Sequence, residues 1–253
     1  MQVWTVANQK GGVGKTTTTI AIAEALATLG HSVLMLDLDP QASLTCYLKL
    51  DPDQIENTTY GIFDGDYRAC PRETGFEKLK VIGASAALAS LEKRASTLKG
   101  KGLVLREWLA SVEATDQFDF VVLDTPPALG MLMINALVAC DQLIVPVQTD
   151  FLALKGLERM LKVLEMLANS GQQIPYTLLP TMYDQRTNAA KRTLMYLKNR
   201  YPESVWSDVI PVDTKFREAS RMGVPPGFLF RESHGVVAYS ALVDYLLASE
   251  DKI

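Results

Sequence analysis

One segment constrains this chain more than any other: Lys10-Gly11-Gly12-Val13-Gly14-Lys15-Thr16-Thr17. It follows an apolar, β-branched run, Val3–Ala7, and opens a segment of helical periodicity, Thr16–Leu29. A glycine-rich turn between strand and helix lets the backbone N–H groups of Gly11 to Gly14 point inward at an anion, where side chains would block approach. The helix N-terminus adds partial positive charge. Lys15 can then reach the β- and γ-phosphates of a nucleotide, the Thr16 hydroxyl can ligate Mg²⁺, and Thr17 is placed for the α-phosphate. This is a loop built for Mg-ATP. The general pattern asks for glycine five residues before Gly14, where this chain has Gln9, so the loop is a deviant form with an extra lysine, Lys10.

Similar apolar runs recur at Val33–Leu38, Leu79–Ile82, Phe120–Leu123, Gln142–Val147, Tyr176–Leu179 and, more weakly, Val205–Ile210. Helical periodicity fills most of the gaps, at Ala87–Leu98, Leu103–Ala114, Leu152–Asn169, Asn188–Arg200 and Val236–Ala248. Strands alternating with helices predict a doubly wound α/β fold, a mainly parallel sheet with helices on both faces. The strands are apolar throughout, as covered faces require. Residues 1–253 are expected to form a single domain, with Asp51–Phe76, polar and rich in Pro, Gly and Asp, as a surface excursion.

Two acidic elements join the loop. The second strand ends in Asp37-Leu38-Asp39-Pro40-Gln41, and alternation puts both carboxylates on one side of the strand end. In a parallel sheet that edge binds ligands. One carboxylate could orient water or hold the water shell of magnesium, and the other could sit beside the γ-phosphate. The run Phe120-Val121-Val122-Leu123-Asp124 places a buried-strand carboxylate next to Mg²⁺.

Composition narrows the alternatives. A net charge of −4 gives no whole-molecule attraction to nucleic acid or anionic lipid, so any such binding needs a local patch. Three isolated cysteines and two histidines argue against a zinc site or a disulfide framework and for reduced thiols in the cytosol. An apolar run starting at Val3 leaves no room for a signal peptide, and no stretch is long enough to span a bilayer.

With Lys10–Thr17, Asp37–Ser43, Asp124–Pro127, Asp150–Gly156 and Thr181–Thr187 in hand, the chain resembles the ParA/MinD group of deviant Walker ATPases, P-loop NTPases of the SIMIBI type. The last two motifs resemble the ParA branch. Within it, Val3–Lys10, Asp150–Met160 and Ile210–Arg217 look like the ParC subgroup associated with polar chemotaxis arrays. The resemblance implies a slow ATPase that closes as a homodimer over two ATP molecules, with Lys10 meeting the phosphates of the partner subunit. It implies that Asp39 arranges attacking water, that Asp37 supports the magnesium shell, and that the region from Met182 and the loop Ile210–Arg217 line the adenine pocket, with Pro211 as the base contact. It further implies an adaptor or ATPase-stimulating protein partner, and a cytoplasmic protein at the cell pole or nucleoid.

ParA proteins that bind DNA do so as dimers. Lys191, Arg192, Lys198, Lys215 and Arg217 could form such a patch, or a partner surface, on otherwise solvated helix faces. On a helix over Asn188–Arg200, Ala190, Leu194, Leu197 and Tyr201 would share the apolar face. Membrane binding is not expected, because the end of the chain carries Asp244, Glu250 and Asp251 against Lys252 rather than a basic amphipathic tail. The rivals are a P-loop metabolic ligase, such as a biotin-pathway or cobyrinate-amidating enzyme, and an iron–sulfur reductase, for which Cys140 has no convincing mate.

Overall fold

The computed structural model describes residues 1–65, 69–94 and 103–250. Its strands are β1 (Gln2–Val6), β2 (Val33–Asp37), β3 (Arg72–Phe76), β4 (Leu79–Ile82), β5 (Phe120–Asp124), β6 (Gln142–Gln148) and β7 (Tyr176–Thr181). The helices are α1 (Lys15–Thr28), α2 (Ser43–Tyr47), α3 (Tyr60–Asp64), α4 (Leu88–Arg94), α5 (Val104–Glu113), α6 (Met131–Ala139), α7 (Phe151–Asn169), α8 (Asn188–Arg200), α9 (Lys215–Met222), α10 (Pro226–Phe230) and α11 (His234–Glu250). The sheet order is β3-β4-β2-β5-β1-β6-β7, and every pairing is parallel except β3 with β4.

The period-two geometry of the strands divides the core in two. Leu34, Leu36, Val121 and Leu123 face the layer that contains Leu105, Trp108, Leu132 and Leu157. Val33, Met35, Phe120 and Val122 face the layer that contains Ile20, Leu26, Leu242 and Leu246. Helices therefore cover both faces, as the uninterrupted apolar strands require. Each fully buried aliphatic side chain contributes about 1.5–3 kcal/mol relative to exposure.

The topology also places the site. β1 lies between β5 and β6, and β2 lies on the other side of β5. The carboxyl ends of β1, β2 and β5 thus meet at one edge, with Val6 in register with Asp124 and Asp37 in register with Asp124.

Two expectations need correction. Val205–Ile210 is not a strand: Val205 makes an isolated bridge with Leu178, and the chain then bends at Ser207 and Asp208 before Ile210 donates to the Pro180 carbonyl at 2.8 Å. The excursion Asp51–Phe76 contains α3, whose Ile62 and Phe63 are buried, and the edge strand β3. The apolar face expected on α8 holds Ala190 and Leu197 buried and Leu194 half-buried, with Thr193 buried beside them and Tyr201 half-buried just past its end. The end of the segment expected as a helix over Ala87–Leu98 lies outside the described residues, as do Asp251 and Lys252.

Candidate nucleotide site

The loop is held open by its backbone. Gly12 and Gly14 have φ of 74° and 92°, the left-handed region that glycine enters without steric cost. Val13 is fully buried, and its carbonyl accepts from the Thr181 hydroxyl at 3.0 Å, which ties the loop to the end of β7. Lys15, the first residue of α1, is buried at 8 % exposure. Burial pulls its pKa down, while the negative charges of Asp124 and Asp39 oppose that shift.

The carboxylates divide by environment. Asp124 is fully buried and accepts from the Thr16 hydroxyl at 2.7 Å. Asp37 is equally buried, with Oδ2 accepting from the Thr45 backbone at 2.9 Å and from the Thr45 hydroxyl at 2.7 Å. Its Oδ1 accepts from the Asp39 backbone at 3.1 Å. Burial raises the pKa of both groups, and the repulsion of Asp37 pushes Asp124 up further. Asp39 is half-buried, its pKa also raised by burial, and it opens on the cleft beside the loop.

That cleft has a volume of about 540 Å³, and its lining includes Gly11, Gly12, Gly14, Lys15, Thr16, Thr17 and Asp39. A second cavity, of about 360 Å³, adjoins it and includes Met182 and Pro211. Met182 adopts a left-handed φ of 53°, and a Cβ added to Gly14 would lie 3.8 Å from its Cε. Tyr183 donates to the Ile210 carbonyl at 3.0 Å, so the Met182 and Pro211 segments are tied together.

Lys10 does not line either cavity. Its backbone N–H donates to Asn8 Oδ1 at 3.0 Å, and its Nζ donates to Gln148 Oε1 at 3.4 Å. A Cβ on Gly156 would lie 2.9 Å from the Lys10 Cβ, so α7 presses on this segment through a residue with no side chain.

The expected surface residues are not one cluster by element. Lys191, Arg192 and Lys198 lie on α8, where Lys198 donates to the Ser207 carbonyl at 2.6 Å. Lys215 and Arg217 lie on α9, where Lys215 pairs with Glu218 at 3.2 Å and Arg217 lines both cavities. Sequence reasoning gave no individual role to Asn8, Thr45 or Thr181, of which only Asn8 adjoins the loop in sequence, while Phe216 falls in the loop expected at the adenine pocket and lines the second cavity.

These residues fit Mg-ATP. A glycine cradle, a buried lysine, and a hydroxyl–carboxylate pair gather at one sheet edge. Among the described residues no three His, Cys, Asp or Glu side chains group to hold a metal by themselves. That suits an ion which takes one or two protein ligands and completes its shell with phosphate and water. Two repelling buried carboxylates call for a cation nearby.

A family model described as an AAA domain matches residues 1–174. The sporulation initiation inhibitor protein Soj of Bacillus subtilis is 34 % identical over 249 residues, covering 96 % of this chain and 97 % of its own. The chain belongs to the ParA/MinD family. The chromosome partitioning protein ParA of Caulobacter vibrioides is 32 % identical and covers 99 % of this chain and 95 % of its own. A cobyrinic acid a,c-diamide synthase structure from Mycobacterium smegmatis, with bound ATP analog and magnesium, superposes with a TM-score of 0.83 at 33 % identity over 98 % of this chain and 94 % of that one. A McdA–ATP complex from Cyanothece reaches 0.86 at 19 % identity over 98 % and 96 % of the two chains, a likeness of fold. The membership carries P-loop ATPase chemistry at the level of the family. Among the described residues no helix is long and apolar enough to cross a membrane.

Proposed function

We propose that residues 1–253 work as one ParA-type unit, an ATP-dependent dimerising switch whose product is a change in partner binding. The observation that carries this reading is Lys10. It stands beside the phosphate loop, outside its own cleft, held by Asn8, Gln148 and the close approach of Gly156. A cation so placed is available to a second copy, and contact with that copy's γ-phosphate would couple ATP binding to dimerisation.

The remaining roles follow from chemistry. Backbone N–H groups of Gly11 to Gly14 hold phosphate oxygens, Lys15 neutralises the β- and γ-phosphates, and Thr17 faces the α-phosphate. Thr16 would ligate Mg²⁺, with Asp124 and Asp37 supporting its shell, and the ion would supply further neutralisation of phosphate charge. Asp39, open to the cleft, orients the attacking water. Met182 and Pro211 hold the adenine, and the left-handed backbone of Met182 is the kind of local strain that clusters at ligand clamps. Hydrolysis is slow and times the return to monomer.

The cargo reading is positioning of intracellular assemblies, with chemotaxis arrays at the cell pole favoured by the ParC-like runs. It calls for an adaptor or ATPase-stimulating protein. Partition of a chromosome over non-specific DNA is the second reading, supported by the exposed Lys191 and Arg192 on a helix free of acidic residues and by the names of the Soj and ParA relatives. The Mycobacterium smegmatis structure favours a ligase as a third. Particle size measured with ADP, ATP and a slowly hydrolysed analogue, with and without DNA, separates them. ATP-dependent doubling of mass supports the switch, and a DNA-bound dimer supports partition. A monomer in every nucleotide, with turnover that requires a small-molecule acid, would sink the switch.

A further inference from the structure

The first turn of α9 brings a guanidinium to the place where the two cavities meet. The cavity over the phosphate loop and the cavity beside Met182 and Pro211 share four lining residues: Gly14, Thr17, Phe216 and Arg217. Gly14 and Thr17 belong to the loop itself. Phe216 and Arg217 come from a distant part of the chain, and they line both cavities at the junction.

The seating of α9 is firm. A Cβ built on Gly235 would collide with Phe216 Cε2, so the ring lies directly against backbone there. The same ring meets Tyr239 edge-on at 5.7 Å, and the Tyr239 hydroxyl is 2.8 Å from the Thr18 hydroxyl on α1. α9 is thus indexed to the phosphate-loop helix through a ring and a hydroxyl pair. Ser220, one turn beyond Arg217, also lines the phosphate cavity, so one face of α9 looks into the cleft. Arg217 is exposed and makes no salt bridge among the described residues, while its neighbour Lys215 is already paired with Glu218. An Arg fork presents planar paired donors that match phosphate oxygens.

We propose that Arg217 is a nucleotide-contact residue that grips the α-phosphate end of the bound nucleotide, rather than a contact to DNA or a protein partner. The proposal rests on the nucleotide reading of the cleft. At the junction of the two cavities, Arg217 meets the part of the ligand that ADP and ATP have in common.

Affinities for fluorescent ADP and ATP, measured with Mg²⁺ and without DNA, test this. Arg217→Ala weakens both nucleotides by the same factor, on the order of tenfold, as expected for a lost charge-assisted contact. Arg217→Lys recovers part of the loss, because it keeps the charge without the fork. Arg221→Ala, on the same helix but outside both cavities, binds as the parent does. Thermal unfolding without nucleotide is unchanged in all three. Parental affinity of Arg217→Ala for both nucleotides overturns the proposal, as does a loss confined to ATP. If the parent chain binds no nucleotide, or Lys15→Ala binds it fully, the cleft reading itself falls and takes this one with it.

Discussion

Burial makes the Lys15 ammonium costly, and two carboxylates, Asp124 and Asp39, offset that cost in the folded chain. A triphosphate would offset it far more, so Lys15 contributes mainly when phosphate is bound. Lys15→Ala should abolish nucleotide binding while leaving the unfolding midpoint close to that of the parent. Asp39→Ala should do the opposite: bind ATP, persist as a dimer, and cease to release phosphate. ATP hydrolysis at the parental rate in Asp39→Ala would remove the water-orienting role. Lys15, Thr16 and Asp39 were legible in the sequence because loop, helix start and strand end are local features. The hold of Thr45 on Asp37 was not, since a threonine eight residues past a strand carries no signal of where its hydroxyl points. The resemblance pointed Phe216 and Arg217 toward the adenine end, but their reach into the phosphate cavity was not legible, because the packing of α9 against Gly235 and Tyr239 decides it.

Among the elements, the parallel strands were readable because burial on both faces writes an unbroken apolar run. β3 was not, because an antiparallel edge strand is half-exposed and its Arg72-Glu73-Thr74 reads as loop. The short helices α9 and α10 were hidden for a related reason: they are fixed by tertiary contacts. One such contact joins α1 to α10. Glu24 is buried at 4 % exposure, and its Oε2 accepts from the Gly227 backbone at 2.8 Å. Burial raises its pKa from 4.5 to about 7, against the pull of the Gly227 and Phe228 N–H groups and of Arg231. Between those two values the folded chain binds more protons than the unfolded one, so this group's contribution to stability falls as pH rises through that window. Glu24→Gln should flatten that part of the profile, with a gain over the parent of about 1–3 kcal/mol at pH 8 relative to pH 5. Denaturant titrations at the two pH values check it, and an unchanged difference would show that Glu24 does not carry the slope.

At the scale of the whole molecule, the question is what the loop presents to a second copy. Gly12 and Gly11 answer it differently. Gly12 has a φ of 74°, so any side chain there strains its own subunit by about 1–2 kcal/mol, even though a Cβ would meet nothing within 4 Å. Loss of dimerisation in Gly12→Val would therefore mix a local backbone effect with a collision across the seam. Gly11 has no left-handed φ, and a Cβ built there also finds nothing within 4 Å. A side chain at Gly11 is thus tolerated within one empty subunit and meets only what enters the cleft or closes over it, and ADP affinity separates the two. Gly11→Val should keep parental stability and bind ADP as a monomer, yet fail to double its mass with ATP. Sedimentation of the variant in each nucleotide gives the answer. A dimer that forms with ATP as readily as in the parent would mean that the loop does not face a partner, and that Lys10 has no phosphate of a second copy to meet.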